Sequence, residues 1–78
     1  MSNDEYLNDA QDNMENGRQY TVPRDGGRLN FVSSYGNGFY KYTSTSMNQR
    51  TIFTHMTEGD EIDGAYLANQ GITLPNGF

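Results

Sequence analysis

Three features of the chain predict an α+β domain, in the order helix, antiparallel sheet, helix. An acidic N-terminal stretch has apolar residues at helical spacing. A central segment alternates in the way half-buried strands do and contains an Asn-Gly turn, and a second acidic, helix-like stretch closes the pattern. The expected architecture is one small domain over residues 1–78: an N-terminal helix, a three- to four-stranded antiparallel sheet and a C-terminal helix, both helices on one sheet face.

Ser2 followed by Glu5 fits a capping box, and Tyr6, Leu7, Ala10 and Met14 then recur at spacings of one, three and four. With Gly17 as a left-handed stop, the first helix falls at about residues 3–16. Arg18 to Val22 reads as an edge strand and Pro23-Arg24-Asp25-Gly26-Gly27 as a turn. Leu29 and Phe31 share one side of the next run. Tyr35-Gly36-Asn37-Gly38 then predicts a hairpin, Phe39 to Ser46 returns, and Arg50 to Met56 forms a further strand. Thr57 with Asp60 caps a second helix at about 58–70, stopped by Gly71, with Ile72 placed to touch Leu67. Leu74 or Phe78 in the tail is available to dock on the body. The leading core candidates are Leu7, Met14, Phe31, Ile52, Tyr66 and Leu67.

Composition bounds what such a fold can do. Only 33% of the 78 residues are hydrophobic, but six Tyr and four Phe supply large units of buried area, enough to read the chain as folded. A core this thin favours support from a partner, and a homodimer fits that need. The absence of Cys excludes a disulfide-built scaffold. No apolar run reaches the ~20 residues that span a bilayer, and the acidic start MSNDEYLND lacks the basic region of a signal peptide, so no membrane role and a cytoplasmic location are expected.

Charge is segregated along the chain. Asp4, Glu5, Asp9, Asp12 and Glu15 stand in residues 1–17 without a basic residue. Arg18, Arg24, Arg28, Lys41 and Arg50 face only Asp25 in residues 18–56, and Glu58, Asp60, Glu61 and Asp63 stand alone in 57–78. The formal net charge of −5 disfavours direct binding of nucleic acid. Acidic helices beside a basic sheet can simply relieve each other's field, or they can form a recognition surface.

No motif identifies a reaction, and neither a catalytic residue nor a cofactor is assigned. His55 is the single histidine and would have to serve any proton relay, with Ser33, Ser34, Ser44 or Ser46 as hydroxyls and Asp25 or Asp63 to orient the ring, yet no nucleophile-elbow context surrounds them. Glu58 to Gly64 is acidic, but the position where a calcium loop counted from Asp60 needs its closing Glu is Gly71. With no Cys and one His, zinc has no ligand set either.

Two binding readings remain. The first is a non-enzymatic, acidic, protein-binding protein that meets the basic surface of a larger protein or nucleoprotein complex, most concretely an inhibitor of nucleic-acid-handling machinery. Phage-encoded anti-defence proteins of the anti-CRISPR type share this physical profile, although no motif links the chain to them. The expected contact residues are Asp9, Asp12 and Glu15, then Glu58, Asp60, Glu61 and Asp63, with Tyr35 and Asn37 from the turn. The alternative is a nucleic-acid-binding module that stacks bases on Tyr35, Phe39, Tyr40 and Tyr42 and meets phosphate with Lys41.

Overall fold

The computed structural model describes residues 2–22, 26–75 and 78; Pro23, Arg24 and Asp25 of the expected first turn lie outside them. Helix α1 spans Asn3–Asn16. Strands β1 (Arg18–Thr21), β2 (Leu29–Ser34), β3 (Tyr40–Thr45) and β4 (Ile52–Met56) follow, and a 3-10 turn, Glu58–Asp60, precedes helix α2 (Gly64–Asn69). The strands form one antiparallel sheet in the order β1-β2-β3-β4, with β1 at an edge as expected. The α+β class and the element order are those predicted. Among the described residues, no helix is long and apolar enough to cross a membrane.

Helix α1 starts where the capping signal places it: the Glu5 N–H donates to the Ser2 hydroxyl at 3.2 Å, and that hydroxyl donates to the Glu5 carboxylate at 3.2 Å. Its end differs in mechanism. Gly17 is extended (φ −74°, ψ 162°), not left-handed, and its N–H donates to the Asn13 carbonyl at 2.8 Å. A Cβ on Gly17 would collide with the carbonyl and side-chain oxygens of Asn13, so glycine is needed here for space.

Side chains alternate across the sheet. Phe31, Ser33, Lys41, Thr43 and His55 share one face, where α1 lies; Val32, Tyr40, Tyr42 and Met56 share the other, covered by α2 and the C-terminal tail. The helices therefore sandwich the sheet. Leu29, Asn30, Phe31 and Val32 are all buried, so both faces of β2 need a cover and one layer of helices would leave half of it in water.

The larger core lies on the α2 side. Val22, Val32, Tyr42, Ile62, Leu67 and Ile72 are buried together, with Leu74 and Phe78 packed against them and Phe78 stacked on Tyr40 at 6.2 Å. Among the expected core residues, Phe31 and Leu67 are buried and Met14, Ile52 and Tyr66 are half-buried. Leu7, by contrast, is 46% exposed, because α1 turns Ala10 and Asn13 toward the sheet.

The second helix is broken where one run over 58–70 is expected. Glu61 sits in the left-handed region (φ 53°, ψ 46°), which ends the 3-10 turn, and Asp63 restarts the chain by accepting the Tyr66 N–H at 2.9 Å. Asp60 accepts the Thr57 N–H at 2.8 Å, so the Thr57–Asp60 cap serves the short turn alone. The stop is as predicted. Gly71 has φ 86°, its N–H donates to the Ala68 carbonyl, and the Ile72 N–H donates to the Leu67 carbonyl, which is a Schellman ending with both apolar partners buried.

The β2–β3 connection also differs in detail. It is a five-residue loop closed by the Tyr35 N–H on the Phe39 carbonyl, with positive φ at Gly36 and Gly38. Asn37 contributes through its side chain, whose oxygen accepts the Phe39 N–H at 3.1 Å.

Candidate functional site

The β2–β3 loop brings parts of both acidic segments to one end of the sheet. Tyr35 is the centre: its hydroxyl accepts the Glu58 N–H at 3.1 Å, and Lys41 Nζ lies 5.8 Å from its ring centroid. Asn37 Nδ2 donates to Glu58 Oε1 at 3.2 Å, tying the loop to the 3-10 turn. From the other direction α1 lowers Asp9 onto Lys41, Oδ1 to Nζ 2.5 Å. Asp9, Tyr35, Asn37 and Glu58 are thus neighbours or linked through Lys41.

The other expected contact residues separate by role. Asp12 and Glu15 are exposed on α1, where Asp12 accepts from Asn16 Nδ2 at 2.8 Å and acts on Lys41 through its field. Asp60 and Asp63 are spent on caps, and Glu61 is exposed at the left-handed break.

The electrostatics around Lys41 follow from partial burial. Desolvation raises the Asp9 pKa, but hydrogen bonds from Lys41 and His55 outweigh it and hold the carboxyl below the ordinary value of 3.8. Desolvation lowers Lys41, and the Asp9 bond and charge more than reverse this, leaving it above 10.5. Burial of the phenol pushes Tyr35 above 10.0 despite the Lys41 charge.

Beneath α1, Asp9 joins a polar network that the sequence does not announce. His55 Nε2 meets Asp9 Oδ2 at 2.7 Å and His55 Nδ1 meets Thr43 Oγ1 at 2.8 Å. Asn13 Nδ2 donates to both Thr43 Oγ1 (2.8 Å) and the Phe31 carbonyl (3.1 Å), and the Ser33 hydroxyl donates to Asn13 Oδ1. Tyr6 packs edge-on against the His55 ring at 5.0 Å and donates its hydroxyl to the His55 carbonyl at 3.2 Å. A neutral His55 that donates from Nε2 to Asp9 and accepts the Thr43 hydroxyl at Nδ1 satisfies each of these groups, with the proton assigned from the network.

Asp9, His55 and Thr43 repeat the connectivity of a catalytic triad. The His55 side chain and Thr43 are nevertheless fully buried, and no pocket opens among the described residues, so the Thr43 hydroxyl has no approach for a substrate in this structure. The residues expected to stack bases are divided: Tyr42 is buried with its hydroxyl on Asn30 Oδ1, Tyr40 stacks on Phe78, Phe39 is half-buried, and Lys41 lies on the opposite sheet face from Tyr40 and Tyr42, beside Tyr35. Among the described residues, no three His, Asp or Glu side chains converge to hold a metal.

Asn13, Ser33 and Thr43 are functional in the sense of fixing α1, and a faint signal could have found them. Tyr6, Ala10 and Asn13 are spaced four and three apart, which defines the inward stripe once Asn is admitted to it. Comparison with family models, with curated proteins and with solved structures found no match.

Proposed function

We propose that the protein works by presenting an acidic surface, centred on the Tyr35–Glu58 end and the outer side of α1, to a basic surface of a larger protein or nucleoprotein complex. The observation that carries this reading is the unequal use of charge. Lys41 is held by Asp9, and among the described residues the exposed charges are three basic, Arg18, Arg28 and Arg50, against eight acidic, Asp4, Glu5, Asp12, Glu15, Glu58, Asp60, Glu61 and Asp63. The field that reaches solvent is negative, which steers association toward basic clefts. An inhibitor that occupies the nucleic-acid-binding surface of its target, as phage-encoded anti-defence proteins of the anti-CRISPR type do, is the most concrete version.

The test is affinity capture from the native host with mass spectrometry, followed by binding measurements on the protein recovered. Asp12→Lys with Glu15→Lys, and separately Glu61→Lys, avoid the internally bonded Asp9. At least one of these variants is expected to weaken binding about tenfold at low salt and flatten its salt dependence. Unchanged affinity in both, or recovery of free nucleic acid alone, would overturn the proposal.

A further inference from the structure

We propose that Asn37 is a site of spontaneous covalent modification: the fold leaves its Asn-Gly bond open to intramolecular deamidation while protecting the equivalent bond at Asn16, and the product unties the β2–β3 loop from the 3-10 turn. The inference concerns the loop's own chemistry and holds whether or not the acidic surface binds a partner.

The reaction needs a free backbone nitrogen after the asparagine and an unhindered path to its side-chain carbon. Gly38 supplies both: it is exposed, at φ 88°, a Cβ there would meet nothing within 4 Å, and nothing among the described residues accepts its N–H. The Phe39 N–H bond to Asn37 Oδ1 closes a ring containing both Asn37 Cγ and the Gly38 nitrogen, so the carbonyl is folded back over its nucleophile and polarised by a donor. The Gly38 nitrogen attacks Cγ and gives up its proton. The new N–Cγ bond forms, negative charge collects on Oδ1 beside the Phe39 N–H, and the Cγ–Nδ2 bond breaks with the proton transferred to the leaving nitrogen, which departs as ammonia. Water then opens the cyclic imide at either carbonyl to give an aspartyl or isoaspartyl carboxylate.

Asn16-Gly17 has the same two residues, and its glycine nitrogen is what differs: the Gly17 N–H is held by the Asn13 carbonyl at 2.8 Å, whereas both asparagine side-chain amides donate to a carboxylate, Asn16 to Asp12 at 2.8 Å and Asn37 to Glu58 at 3.2 Å. The third such pair, Asn76-Gly77, lies outside the described residues.

At position 37 the product exchanges a donor for a second negative charge. Asn37 Nδ2 is 3.2 Å from Glu58 Oε1, so a carboxylate placed there repels its former partner and deepens the net charge of −5 by one unit. The loop tie is then left to the Tyr35 hydroxyl.

The test compares the folded protein with the same chain unfolded in urea at neutral pH, using peptide mapping to count aspartyl and isoaspartyl product at each asparagine. Unfolded, Asn16 and Asn37 should convert at similar rates. Folded, Asn16 should slow by about tenfold or more while Asn37 stays within roughly threefold of its unfolded rate. Equal protection of the two overturns the proposal. For the consequence, Asn37→Asp should raise amide exchange of residues 57–60 by roughly threefold, and adding Glu58→Gln, whose amide can donate to the new carboxylate, should restore it. Unchanged exchange in Asn37→Asp, or no recovery in the double variant, would remove the untying step.

Discussion

Asn13 is the residue on which most of the α1 side of the molecule turns. Fully buried, it bridges the Phe31 carbonyl, the Thr43 hydroxyl and the Ser33 hydroxyl, linking β2, β3 and the end of its own helix. Asn13→Ala takes the Ser33 hydroxyl's acceptor and removes one bond each from the Phe31 carbonyl and from the Thr43 hydroxyl, which keeps His55. Since one buried polar group left unsatisfied costs ~1–3 kcal/mol, the substitution is expected to cost about 3 kcal/mol in urea unfolding, while Asn8→Ala on the exposed side stays within about 0.5 kcal/mol. A loss below about 1 kcal/mol would mean that water replaces the side chain. Residue-type statistics do not reveal this role. An asparagine in a helix reads as solvent-facing, and only its spacing from Tyr6 and Ala10 suggests otherwise.

At the scale of the element, α1 is an amphipathic helix whose buried side is largely polar. Ala10 is its one fully buried apolar residue; Asp9, Asn13 and Tyr6 do the rest through named bonds. Its attachment therefore depends on pH. The Asp9 pKa is lowered, so its contribution is complete above the unfolded value of about 3.8 and is lost as pH falls through the folded value; the Lys41 pKa is raised, so its contribution is complete below about 10.5 and is lost above the folded value. Unfolding free energy measured across pH should show a fall in acid that Asp9→Asn makes shallower. An unaltered acid limb would show that other carboxylates set it. The start and end of α1 were legible in Ser2, Glu5 and Gly17. Which side faces inward was not, because apolar counting selects Leu7 and Met14 and passes over Asn13. The break in the second helix is hidden for a related reason: the Thr57–Asp60 cap is real, but it serves a single turn, and nothing in the residue type of Glu61 announces a left-handed conformation.

At the scale of the whole molecule, the sheet is a meander in which each strand pairs with its neighbour in sequence, and the hairpin signals between Leu29 and Met56 were sufficient to predict it. The three-layer arrangement was not predictable from the patterns of the helices alone. It follows from β2, whose consecutive buried residues Leu29 to Val32 interrupt the usual alternation. That run was visible as LNFV, with Asn30 obscuring it by standing at a position where a core residue would be expected.

The clamp between α1 and β4 has a temporal consequence. Its contacts join residues 46 and 49 positions apart, Asp9 with His55 and Tyr6 with His55, whereas the sheet is assembled from adjacent hairpins. Closing the longer loops carries the larger entropic cost, so the meander should form in the rate-limiting step and α1 should dock after it. In stopped-flow experiments Asn13→Ala and Asp9→Asn are then expected to accelerate unfolding and leave refolding within about twofold, the behaviour of contacts absent from the transition state. Slower refolding would place the helix in the nucleus. On this ordering the chain passes through a moment at which its strands are paired and Phe31 is still uncovered, and how quickly Asn13 finds Thr43 decides how long that surface is open to other molecules.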